Sequence, residues 1–100
     1  MDVRLPATLR GGSYESQIQR FLQYMVNRLA FGHYRYGPPD ALQDYASRLE
    51  HAIEKYEETG NLEFLVDAAN YCLLETVEPL HPNAHFKSTD SHGSGVKTTE

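Results

Sequence analysis

The sequence has no tryptophan, a single cysteine, and 9 lysines and arginines against 14 acidic residues. One cysteine, Cys72, cannot close an intrachain disulfide, so a reducing compartment is the simple reading. The formal net charge of −5 argues against a protein held to nucleic acid chiefly by charge. No apolar run reaches the ~20 residues that span a bilayer, and the N-terminus lacks the basic-then-apolar pattern of a signal peptide. A cytoplasmic location with no membrane attachment is the expectation. At 100 residues the chain holds one domain at most.

What the sequence does have is helical periodicity. Ile18, Phe21, Leu22, Met25, Val26 and Leu29 recur at spacings of three and four, which predicts an amphipathic helix from Tyr14 to Ala30 capped by Ser13. Leu42, Tyr45, Ala46, Leu49, Ala52, Ile53 and Tyr56 predict a second helix, from Asp40, its expected cap, to Glu58. Gly60 is free to take positive φ and end that helix, and the Asn61 side chain can cap a third running to Glu78. This third helix is apolar almost all round, from Leu62 and Phe64 through Cys72, Leu73, Leu74 and Val77. Glu63, Asp67 and Asn70 form its one polar stripe.

The second and third helices thus read as a central antiparallel hairpin in an all-α bundle spanning residues 14–79. Residues 1–13 read as a flexible arm and 80–100 as an extended polar tail, in which His81, His85 and His92 read as solvated. A helix apolar on most sides needs more cover than two neighbours provide. A second copy packed third helix against third helix is therefore expected to complete the core, as a homodimer or larger even oligomer.

Two clusters carry possible chemistry. Glu50 and Glu54 lie one turn apart on the second helix, and a closed hairpin brings them roughly level with Asp67 and Asn70. Carboxylates gathered this way suit a hard cation, although glutamates at such spacing also make an ordinary solvated helix face. Between the first two helices, FGHYRYGPPD reads as a loop bracketed by Gly32 and Gly37. There Tyr34, Arg35 and Tyr36 suit a stacked nucleobase and a phosphate, or else simple packing over the end of the bundle.

Met25–Leu29 with Gly32–Gly37, Arg48–Glu54, and above all Val66-Asp67-Ala68-Ala69-Asn70-Tyr71 resemble three motifs of the MazG-like all-α nucleotide pyrophosphatases, whose small members are phage and bacterial proteins. The resemblance covers Phe21 to Glu75. It implies a nucleoside triphosphate pyrophosphohydrolase dependent on Mg2+ or Mn2+, with Glu50 and Glu54 catalytic and Glu50, Glu54, Asp67 and Asn70 as metal ligands. Tyr34, Arg35 and Tyr36 would hold the nucleotide. The chain departs from the family pattern at Lys55 and Phe64, which stand where the family carries glutamates and cannot bind Mg2+. Two further readings follow: a catalytically inactive relative that binds a nucleotide or nucleotide-derived signal, and an all-α protein-interaction module.

Overall fold

A computed structural model of the chain describes residues 3–36 and 44–89, with side chains in the first segment given as far as residue 33. The regular elements among the described residues are all helical: a 3-10 turn at Ala7–Leu9, α1 at Gly12–Tyr36, α2 at Tyr45–Thr59 and α3 at Glu63–Val77. The all-α expectation holds. The chain divides into two units, Met1–Arg20 with His85–Glu100, and Phe21–Ala84.

In the first unit the arm is not wholly irregular, because the 3-10 turn closes with Leu9 N–H donating to the Pro6 carbonyl at 2.9 Å. Gly11 and Gly12 then take φ of 73° and 65°, a left-handed backbone that a side chain would resist. The expected Ser13 cap is not the one used. The helix starts at Gly12, two residues before the expected Tyr14, the Gly11 N–H donates to the Glu15 carboxylate, and the Ser13 carbonyl accepts from the Ser16 hydroxyl. A carboxylate in the first turn also suits the positive end of the helix dipole.

The second unit carries the larger correction. The segment expected to loop out after Ala30 continues the helix through Phe31, Gly32 and His33 to Tyr36. A lone glycine costs a helix only about 1 kcal/mol, and Pro38 restricts the residue before it rather than those five or six back. The expected start of α2 at Asp40, and Leu42 of its apolar face, lie outside the described residues. Asp44 is the observed cap: its carboxylate accepts from the Ser47 backbone N–H at 3.2 Å and from the Ser47 hydroxyl at 2.8 Å.

The turn between α2 and α3 follows the sequence closely. Gly60 sits at φ 71° and donates its N–H to the Tyr56 carbonyl at 2.7 Å. The Asn61 side-chain oxygen accepts from the Glu63 N–H at 3.0 Å, just ahead of α3. Of the helix pairs, α2 and α3 pack most closely. Their buried apolar residues are Tyr45, Ala52, Val66 and Ala68. Small buried residues such as Ala52 and Ala68 suit close helix approach, since the side chains at the contact set the interaxial distance. Tyr45, 2% exposed, stacks on Tyr71 with ring centroids 6.5 Å apart. Beyond α3, residues 78–89 form no helix or strand; the Glu75 carboxylate accepts from Leu80 N–H, and His81 Nδ1 from Asn83 N–H.

The Asp44 cap makes stability depend on pH. Its hydrogen bonds with the Ser47 side chain and backbone favour the ionised form and lower its pKa. A lowered carboxylate pKa contributes stability above the unfolded value and loses it as pH falls through the folded one. The gap in melting temperature between the native chain and Asp44→Ala should therefore stay constant above about pH 5 and narrow through the carboxylate range below it. A gap that persists unchanged into strong acid would mean the cap does not act through its charge.

Candidate functional site

The polar stripe of α3 lies against α1. Arg28 grips Asp67 side-on, with Nε donating to one carboxylate oxygen at 3.2 Å and Nη2 to the other at 3.3 Å. Nη2 also lies 3.7 Å from the Glu63 carboxylate. Such forked pairing is the strongest geometry open to an arginine and a carboxylate. The carboxylates of Asp67 and Glu63 raise the Arg28 pKa, first through the Asp67 hydrogen bond, against the opposing effect of burial. Glu63 and Asp67 are four residues apart and would repel across one helical turn. Arg28 neutralises that repulsion.

Asn70, 6% exposed, points the same way. Its Nδ2 donates to the Met25 backbone carbonyl of α1 at 3.0 Å. Its Oδ1 is buried and has no hydrogen-bond partner in the structure. A buried polar atom left unpaired costs free energy, so something must make this asparagine worth keeping.

The other sequence-predicted residues stand elsewhere. Glu50 and Glu54 are both exposed on α2. Asp67 and Asn70 are engaged by α1. Among the described residues no three histidine, cysteine, aspartate or glutamate side chains gather as a metal-binding group. Tyr34, Arg35 and Tyr36 have their backbone in the last turn of α1 instead of in a loop, and their side chains lie outside the described residues. Lys55, at a position where the family carries a glutamate, pairs with Glu58 at 3.3 Å.

Arg28 is the residue that sequence reasoning missed. Its role needs knowledge of which helix faces it. One signal was available: α3 carries two carboxylates a turn apart with no basic residue of its own to balance them.

Compared with models of known protein families, with curated proteins and with solved structures, the chain matches none.

A double-mutant cycle over Arg28→Ala and Asp67→Ala measures the pair. With side chains 39% and 23% exposed, the coupling should be about 0.5–1 kcal/mol and shrink as salt is added. Coupling that vanishes at low ionic strength would show the fork to be energetically idle.

Proposed function

We propose that this chain is a MazG-like helical protein that binds a nucleotide without releasing pyrophosphate, and that a second copy completes its core. The resemblance at Asp67-Ala68-Ala69-Asn70-Tyr71 supports the family. The fork from Arg28 to both oxygens of Asp67 supports binding without turnover. A carboxylate held this way is poorly placed to serve Mg2+, which takes carboxylate and water oxygens in octahedral array. Lys55 and Phe64 in place of glutamates point in the same direction. Tyr34, Arg35 and Tyr36 at the end of α1 are the residues proposed to take the base and a phosphate.

The pyrophosphohydrolase reading keeps one favourable observation. Glu50 and Glu54 are exposed on α2 with no hydrogen bond or ion pair among the described residues, and so remain open to a cation. Incubation with a panel of nucleoside triphosphates, with Mg2+ and with Mn2+, separates the readings when pyrophosphate release and calorimetry are followed in parallel. Binding heat without pyrophosphate is the expected outcome, and Arg35→Ala should weaken that binding by about 1–3 kcal/mol. Pyrophosphate release lost in Glu50→Gln and Glu54→Gln would restore the enzyme reading. Neither heat nor release would leave the protein-interaction module.

The case for a second copy rests on α3, whose Leu73 and Val77 are 40% and 65% exposed in the single chain. Sedimentation of the native chain at micromolar concentration should give a dimer or larger even oligomer. Leu73→Asp should shift it to monomer, because a charge in a packed apolar interface is costly. A native chain that sediments as a folded monomer rules this out.

A further inference from the structure

The seam between α1 and α3 has a covered side and an open one. On α3, Asn70 donates to α1, and Tyr71, about 100° further round the helix, stacks on Tyr45 of α2. Leu62 and Leu73 lie about 60–80° from Asn70 in the opposite sense, away from α2. On α1, Arg28 marks the direction of α3. Leu22, Met25 and Leu29 fall on one flank of Arg28 and are half-buried. Tyr24 and Phe31 fall on the other flank, Phe21 stands close to the line of Arg28, and all three are exposed. The Arg28–Asp67 and Met25–Asn70 contacts run antiparallel, so Phe21 comes level with the turn holding Leu73, and Phe31 lies near Leu62. The open side is therefore a groove with aromatic residues on the α1 wall and aliphatic residues on the α3 wall, each 39% to 66% exposed.

We infer that the second copy packs into this groove, and not on α3 alone: α3 of each copy lies between α1 and α3 of the other. The inference rests on the reading that a second copy completes the core, and it assigns α1 half of that interface. Area decides between the two arrangements. Leu62, Leu73 and Val77 leave about 300 Å2 of side chain open on α3, well short of the ~800 Å2 a side of a standard interface. Phe21, Tyr24 and Phe31 double that apolar area, and the polar rim around the groove supplies the rest. Charge favours a copy of the same chain as the occupant. Two chains of net charge −5 repel each other, so they pair closely only where neither presents an unbalanced acid. The sequence of α1 holds no acidic residue from Ser16 to Tyr36. On α3, Glu63 and Asp67 are balanced by Arg28, and Glu75 falls on the α2 flank. Because the same groove is presented and filled on both copies, the pairing is twofold and closes as a dimer.

The test is sedimentation equilibrium of the full chain beside Phe21→Glu, Tyr24→Glu and Val26→Glu. Val26 is exposed on α1 but turned away from the groove, so its variant adds the same charge outside the interface. Phe21→Glu and Tyr24→Glu should weaken dimerisation about tenfold or more, since each sets an unpaired charge in an apolar contact, while Val26→Glu pairs as native does. Diluting the native chain from dimer to monomer gives a readout that needs no variant to fold. The ring resonances of Phe21 and Tyr24 should shift on dilution and the Val26 methyls should not. A dimer broken by Leu73→Asp but untouched by Phe21→Glu and Tyr24→Glu would overturn the groove and leave the second copy standing. Ring resonances unmoved by dilution, or Val26→Glu dissociating as readily as Tyr24→Glu, would overturn it too. A native chain that stays a folded monomer removes both the groove pairing and the reading beneath it.

Discussion

The grip of Arg28 on Asp67 decides how the second unit is put together. Helix α3 is apolar on most of its circumference and could be covered from several directions. Its stripe of Glu63, Asp67 and Asn70 breaks that freedom, because two carboxylates a turn apart cannot be laid against an apolar neighbour without a cation. Arg28 supplies one from α1. Ala52 of α2 and Ala68 of α3 are both buried. The hairpin carries the small buried core; α1 is oriented by polar contacts.

Those roles explain what could be read from the sequence. The α2–α3 turn was legible to the residue, since Gly60 needs a left-handed φ and Asn61 has an oxygen at the right reach, both local facts. Apolar periodicity gave the inner face of α2 at Tyr45, Leu49, Ala52 and Tyr56, though Ala46 and Ile53, on the edge of that face, came out exposed. The end of α1 was misread. Two glycines and two prolines were weighed as one punctuation mark, whereas Gly32 is a tolerated interruption and only Pro38 bears on where the helix can stop. Asp44, three residues before Ser47 at the head of the periodic run, carried a usable cap signal that Asp40 obscured.

The candidate site was less legible than the fold, for a physical reason. A closed hairpin is expected to bring Glu50 and Glu54 near the level of Asp67, but level is not direction. At about 100° per residue, a stripe on α3 that meets α1 leaves the α2 contact to other residues. Asp67 and Asn70 were correctly seen to share a stripe, and the partner of that stripe was a tertiary choice. No pattern within α2 and α3 could reveal it, because the deciding charge lies about forty residues earlier in the chain.

The same arrangement bears on what a cation would meet here. Asp67 offers its oxygens only in competition with a guanidinium that needs no desolvation to stay, since it is already half out of water. Glu50 and Glu54 carry no such competitor but remain exposed, where a hydrated divalent ion gains little over bulk solvent. A cation at Asp67 would have to displace Arg28 from its oxygens. Glu63 and Asp67 would then repel one another, and α1 would lose its ion pairs to α3. A metal ion on Asp67 and the pairing of Asp67 with Arg28 are therefore mutually opposed.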